Sequence, residues 1–260
     1  MARSLIGGLI RNGTSPQSIT VAEPNADLRD ALARDFAVAV HAGNEEAARE
    51  ADVLVLAVKP QVMKIVCAGL CALAQTRKPL VISIAAGIRI DQLERWLGGS
   101  VAVVRCMPNT PALIGAGATG LCANACTDAA QRVLAQSILG TAGLSLWIDD
   151  EAQMDTVTAL SGSGPAYFFR LVEALEDAAV AQGLPRATAR ALATQTCLGA
   201  GRMLIEDDAT PAELRQRVTS PGGTTQAALE SFAASDLGQI VARAIAAATA
   251  RGKEMSAQFE

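Results

Sequence analysis

The sequence has a single histidine, His41, and no cysteine pair at the CxxC spacing of a zinc ribbon or redox helix. Its six cysteines form two CxxxC pairs, Cys67/Cys71 and Cys122/Cys126, with Cys106 and Cys197 apart. That set is not a metal centre, and the thiols are expected to be buried and reduced. A basic excess is also missing. Lys and Arg number 22 against 26 Asp and Glu, a net charge of −4, which argues against nucleic acid as a partner. Runs such as Val53 to Val58 fall far short of the ~18–20 apolar residues of a membrane span. The N-terminal MARSLIGGLIRNG has too short an apolar core for a signal peptide. These absences lead to the expectation of a cytoplasmic protein with neither membrane nor nucleic-acid partner.

What is present is enough for a globular core: 260 residues, 50% hydrophobic and 18% charged, which excludes disorder. The 22 glycines and 10 prolines show no three-residue period, so the chain is not collagen-like. Length allows one large domain or two smaller ones.

The first half alternates. Arg3–Arg11 reads as helix, Ile19–Ala22 as strand, Ala26–Arg34 as helix and Ala37–Val40 as strand. Asn44 reads as an N-cap before a Glu/Ala helix. Val53–Val58 has the pattern of a parallel strand buried on both faces. Strands follow at Leu80–Ile84, Val101–Arg105, Ala118–Cys122 and Leu144–Ile148, with helices between, including one after Thr127. This alternation predicts a doubly wound α/β sheet. Beyond Ile148 the strand signal ends. Helical segments follow at Glu151–Leu160, Ala166–Gln182, Arg186–Ile205, Pro211–Val218, Thr225–Ala233 and Asp236–Ala257, punctuated by Gly and Pro. The expected domains are therefore residues 1–148, α/β, and 149–260, all-helical. The second is rich in Ala and short of large core side chains, so it is expected to pack against a copy of itself.

Ligands of such a sheet bind beyond the C-terminal ends of its strands. Val53–Val58 runs into Lys59-Pro60, where a lysine at a helix start meets either a phosphate or nicotinamide, or only solvent. Leu80–Ile84 runs into Ala85-Ala86-Gly87, small residues that admit a flat ring. Val101–Arg105 runs into the stiff loop Cys106-Met107-Pro108-Asn109-Thr110-Pro111. Glu23, after the first visible strand, suits an adenosine ribose 2′-OH and repels a 2′-phosphate, or is a plain turn residue. In the helical half, Ser161-Gly162-Ser163-Gly164-Pro165 joins two helices. Thr219-Ser220-Pro221-Gly222-Gly223-Thr224-Thr225 opens another. Backbone N–H groups beside hydroxyls at a helix start make an anion site and serve equally as a helix cap.

The ordered set AVKP (57–60), AAG (85–87), MPNTP (107–111), SGSGPAY (161–167), GLPR (183–186) and SPGGTT (220–225) resembles pyrroline-5-carboxylate reductase over nearly the whole chain. The resemblance implies a Rossmann-like domain, an all-helical dimerisation domain, and reduction of the ring C=N of 1-pyrroline-5-carboxylate to L-proline with NADPH or NADH. No metal is implied. It places Asn44, Ala57, Lys59 and Ala86 near the cofactor. With the strand-end residues, the expected cofactor set is Glu23, Asn44, Ala57, Val58, Lys59, Pro60, Ala85, Ala86, Gly87 and Asn109. Ser220, Gly223, Thr224 and Thr225 match the substrate loop. Ser220 and the amides after Gly222 are expected to hold the carboxylate, and Thr225, with Ser220, to act in catalysis. Glu151 matches an acid near the substrate ring. A homodimer through the helical domain, assembling in some members to a decamer, is the expected partner.

One departure stands out. Met1-Ala2 match the end of a GxGxMA-type turn, so the family's first strand and Gly-rich turn, roughly ten residues on usual lengths, are not in this sequence. A misassigned start and a genuine variant with a weakened cofactor site are the alternatives, and the neighbouring strand edges are expected to be exposed. Two further functions compete: a catalytically impaired oligomeric scaffold without nucleotide binding, and a β-hydroxyacid-dehydrogenase-like enzyme. The latter class carries a catalytic Lys in its helical half, whereas here the only lysine after Lys78 is Lys253.

Overall fold

The computed structural model describes residues 1–259. The chain forms two units: Met1–Ser163 with the stretch from Ala248 onward, and Gly164–Ala247. Strand signal stops after Ile148, as read from the sequence, but packing changes later. Met154 and Ala159 are buried in the first unit, so the segment between 151 and 163 stays with the sheet.

In the first unit, β1 (Thr20–Ala22) pairs in parallel with β2 (Ala39–His41). A separate sheet has the order β3 (Val53–Leu56), β4 (Leu80–Ser83), β5 (Val103–Met107), β6 (Gly117–Ala123), β7 (Gly143–Trp147). All its pairings are parallel except β5–β6. A doubly wound sheet leads one to expect parallel neighbours throughout. The antiparallel pair arises because only residues 108–116 link β5 to β6, too few for the crossover of about a dozen residues that parallel strands need. β1 and β3 do not pair with each other. As an edge strand, β3 leaves Val55 37% exposed. The two-sided burial expected for it belongs instead to β4, buried at every position.

Helices cover both faces of this sheet. On one, α4 (Pro60–Arg77) packs Met63, Cys67, Leu70 and Ala74 against Leu54, Leu56, Val81 and Val103. On the other, Leu5 of α1 (Ala2–Arg11) and Ala135 and Leu139 of α6 (Ala129–Gly140) pack against Leu80, Ile82, Val104 and Cys106. Alternation along β4 sends Leu80 and Ile82 one way and Val81 the other, the period-two rule of strands. Each such fully buried aliphatic side chain contributes about 1.5–3 kcal/mol. Local chemistry sets the ends. Pro60 opens α4 with its preset φ. Asp128 and Gln131 form a capping box at α6. In α1, a Cβ on Gly8 would sit 2.7 Å from the Thr141 carbonyl oxygen, so only glycine permits this approach. The other short helices are α2 (Ala26–Phe36), α3 (Asn44–Ala48), α5 (Ile90–Trp96) and α7 (Met154–Val157). Gly43, not Asn44, is the N-cap of α3, and Asn44 is its first helical residue.

The second unit contains α8 (Gly164–Ala181), α9 (Arg186–Glu206), α10 (Pro211–Arg217), α11 (Thr224–Ala234) and the first half of α12 (Leu237–Ala257). Gly183, at φ +99°, turns α8 into α9. Arg186 and Arg190 of α9 both bond Glu176 of α8. The interior is thin. Among its described residues, the buried apolar side chains are Ala189 and Leu214, while Phe168, Phe169, Leu204 and Ile205 are exposed. The end of α12 belongs to the first unit, where Gln92 donates to the Ser256 carbonyl at 3.4 Å and Phe259 packs on the core.

Candidate active site

The register Leu56↔Ser83 and Ser83↔Arg105 brings the C-terminal ends of β3, β4 and β5 side by side. Three of the expected segments thus emerge together: Ala57–Pro60, Ala85–Gly87 and Met107–Asn109. Lys59 is exposed at the N-cap of α4, with extended backbone and Pro60 next in the helix. Ala57 is exposed, Val58 and Pro60 half-buried. Ala85 is buried, and Gly87 has φ +76°, a conformation that side-chain-bearing residues rarely adopt. Ala85, Ala86 and Gly87 are small enough to suit a flat ring at this strand end, and Gly87 packs against the end of α12, where an added Cβ would lie 3.6 Å from Met255. A helix start bearing Lys59 fits a phosphate. In α1, the Ser4 hydroxyl is buried without a partner among the described residues, a feature the sequence reading missed because a helical Ser in an apolar run gives no signal.

Glu23 follows β1, and Asn44 follows β2, on the two-stranded sheet whose register pairs Ala22 with His41. The Glu23 carboxylate accepts the Asn25 N–H at 2.9 Å, and the Arg29 guanidinium donates to the Glu23 carbonyl at 2.9 Å. A carboxylate and a guanidinium thus share one turn. Asn44 is exposed and lines a cleft of about 540 Å³ with Ile65, Val66 and Gly69 of α4.

Asn109 is only 9% exposed, and its amide is engaged at both ends. It accepts the Ala118 N–H at 2.9 Å and donates to the Ser161 carbonyl at 3.0 Å.

Glu151, expected beside the substrate ring, has its Oε1 occupied within the first unit. It accepts from the Arg105 guanidinium at 2.9 Å and the Ile90 N–H at 2.8 Å. Asp155 lies 3.8 Å from the same guanidinium. Arg105 was not among the sequence candidates, although an arginine between valines and a cysteine in a strand is a visible signal of a buried ion pair.

In the second unit, Gly223 is the N-cap of α11 and Thr224 its first residue. Gly222, at φ +70°, donates its N–H to Gln226 Oε1 at 2.8 Å. The Gly223 N–H closes the turn on the Ser220 carbonyl at 3.0 Å. A Cβ on Gly223 would lie 2.5 Å from Ser220 Oγ, so glycine is required for the hydroxyl to stand there. The first helical bond runs from the Ala227 N–H to the Gly223 carbonyl. The Thr224, Thr225 and Gln226 amides therefore lack intrahelical acceptors, as at any helix start. The Gly223 N–H is spent in the turn, which leaves the Thr224 and Thr225 amides as the first ones available at this helix start.

All six cysteines are free. Cys67, Cys106 and Cys122 are buried as expected, but Cys126 is exposed, because it lies in the loop before Asp128 caps α6. Burial pushes the Cys67 thiol up to about 12, so it is no nucleophile at neutral pH.

A wound sheet with helices on both faces, small-residue loops at adjacent strand ends and a separate helical unit define a Rossmann-type nucleotide-dependent oxidoreductase. Residues 1–87 match the family model described as NADP oxidoreductase, coenzyme F420-dependent, and residues 151–255 that for pyrroline-5-carboxylate reductase dimerisation. The chain is 52% identical to a pyrroline-5-carboxylate reductase of Pseudomonas aeruginosa, over 100% of its own length and 94% of that protein. The solved pyrroline-5-carboxylate reductase of Coxiella burnetii superposes with TM-score 0.95 at 44% identity, covering 98% of this chain and 94% of that one. That of Plasmodium falciparum with NADP bound gives 0.84 at 30%, over 98% and 94%. This chain belongs to the pyrroline-5-carboxylate reductase family, which sets aside the β-hydroxyacid-dehydrogenase alternative. No helix among the described residues is long and apolar enough to cross a membrane.

Proposed function

We propose that this chain reduces 1-pyrroline-5-carboxylate to L-proline at the expense of NAD(P)H, the last step of proline biosynthesis. The observation that carries this reading is full-length likeness at 52% identity to a reductase of that name. NAD(P)H, when bound, supplies the hydride that adds to the ring carbon of the C=N bond; the nitrogen takes up a proton. No covalent nucleophile is needed, so the protein's part is orientation and charge.

Ser220 Oγ and the Thr224 and Thr225 amides hold the substrate carboxylate at the start of α11, where the helix dipole favours an anion. The Thr225 hydroxyl contacts the ring nitrogen and steadies the amine as it forms. Gly223 supports the Ser220 hydroxyl by leaving it room. On the cofactor side, Lys59 and the α4 start meet a phosphate. Ala57, Val58 and Pro60 line one wall, and Ala85, Ala86 and Gly87 let the nicotinamide approach. Glu23 and Asn44 face the adenosine end. Glu151 acts through Arg105 and the Ile90 amide rather than on the ring.

The second unit associates with a copy of itself, supported by the dimerisation match and by its exposed Phe168, Phe169, Leu204 and Ile205 over a thin interior. A decamer is the higher assembly this reading extends to. Six free thiols and an NAD(P)H-dependent biosynthetic reaction support a reducing compartment, the cytoplasm.

The test is NADPH oxidation by the chain with and without 1-pyrroline-5-carboxylate, alongside sedimentation to count subunits. Substrate-dependent oxidation supports the reading. Dimerisation without oxidation or NAD(P)H binding supports the scaffold alternative.

A further inference from the structure

The turn between α7 and α8 is a π-helix, Thr158–Gly162, closed by the Ser163 N–H on the Thr158 carbonyl at 2.8 Å. Such i→i+5 turns are rare and concentrate at functional sites. The sequence explains why this one needs outside help. In an ordinary helix the Ser161 carbonyl would accept from the N–H four residues on. That residue is Pro165, which has none. The orphaned carbonyl is satisfied by the Asn109 side-chain N–H at 3.0 Å, while the Asn109 oxygen accepts the Ala118 N–H of β6 at 2.9 Å. The turn also presses on β5: a Cβ on Gly162 would sit 2.6 Å from Met107 Cε.

We infer that Asn109 is a positioning residue, clamping the π-turn at Ser161 onto the C-terminal end of β5, and that hydride transfer depends on this clamp rather than on contact between Asn109 and the cofactor. The inference rests on the proposed reduction and replaces the direct cofactor contact that the sequence leads one to expect of Asn109. An amide is the side chain for the task. It offers one acceptor and one donor in a plane, to a strand N–H and a turn carbonyl. Aspartate keeps the acceptor for Ala118 but, when ionised, sets a negative oxygen against the Ser161 carbonyl.

The test compares wild type with Asn109→Asp and Asn109→Ser in the full chain. For Asn109→Asp at neutral pH, kcat falls about ten- to a hundredfold, the span of one lost hydrogen bond to a buried group plus repulsion, while Kd for NADPH, by fluorescence titration, stays within about twofold. As pH falls toward 5 the aspartate takes a proton, donates to Ser161, and the deficit against wild type narrows. Asn109→Ser shows the kcat loss without acid recovery, and carries the test if Asn109→Asp does not fold. Amide hydrogen exchange across residues 159–164 quickens in both variants, while β4 keeps its protection. Unchanged kcat in the folded variants, a Kd that weakens in step with kcat, or unaltered exchange at 159–164 overturns the inference. Wild type that oxidises no NADPH overturns the proposed reaction instead, and the exchange measurement then decides the clamp by itself.

Discussion

Arg105 and Glu151 stand 46 residues apart in sequence and 2.9 Å apart in space, with the Arg105 side chain 4% exposed. The pair joins β5 to the segment after β7, and the same carboxylate oxygen caps the start of α5 through the Ile90 N–H. Removing one partner of a buried pair leaves a stranded charge, at a cost of about 3–5 kcal/mol; Asp155 at 3.8 Å offsets part of it. Glu151→Ala therefore lowers unfolding free energy by about 2–4 kcal/mol, read as a lower urea midpoint. A loss of kcat without loss of stability would instead return Glu151 to the substrate ring.

The contact proposed between the Thr225 hydroxyl and the reacting nitrogen predicts an effect on turnover and none on cofactor affinity. In Thr225→Ala, kcat falls about ten- to a hundredfold on the scale of a lost transition-state donor, with Kd for NADPH unchanged. Steady-state kinetics with a separate NADPH titration reads both. An unaltered kcat removes Thr225 from the mechanism.

The turn after β1 holds a carboxylate, Glu23, and a guanidinium, Arg29, whose Nη1 is 2.9 Å from the Glu23 carbonyl. A carboxylate there favours a ribose 2′-OH, and an arginine accommodates a 2′-phosphate. Glu23→Ser removes the repulsion and leaves the arginine. The kcat/KM ratio of NADPH to NADH should rise about tenfold, one charge repulsion near a surface. A ratio that does not move places the 2′ selectivity elsewhere.

Within the helical unit, Glu176 accepts from Arg190 Nε at 3.0 Å and from Arg186 Nη1 at 2.9 Å. The hydrogen bond from Arg190, then that from Arg186, hold its carboxyl below the usual 4.5. A folded-state pKa below the unfolded one means that the unfolded chain binds the proton more readily. This stabilisation is complete above the unfolded value and is lost as pH falls through the folded one. The melting temperature should hold from pH 7 to about pH 5, then drop on further acidification, with a smaller drop in Glu176→Gln. Equal acid slopes in the two proteins would assign the loss to other carboxylates.

Much of this was written in local chemistry. The apolar runs at Val53–Val58 and Leu80–Ile84, Pro60, the helix start after Thr127 and the turns at Gly183 and Gly222 each act over a few residues, and each marks its element in the sequence within a residue or two. The motif order AVKP, AAG, MPNTP, SGSGP, SPGGTT likewise names the family without any structure. Tertiary structure decided what depends on distant partners. It made β3 an edge with Val55 outward and β4 the fully covered strand, because burial follows from neighbours rather than from a strand's own composition. It turned β6 antiparallel through the short 108–116 link. It returned the end of α12 to the sheet, where Gln92 meets Ser256. It also occupied Glu151 with Arg105, and it set Asn109 against the one carbonyl that Pro165 leaves unpaired. A side chain's type was legible in the sequence. Which of its hydrogen bonds the protein itself consumes is settled only when segments 46 or 52 residues apart are brought within 3 Å.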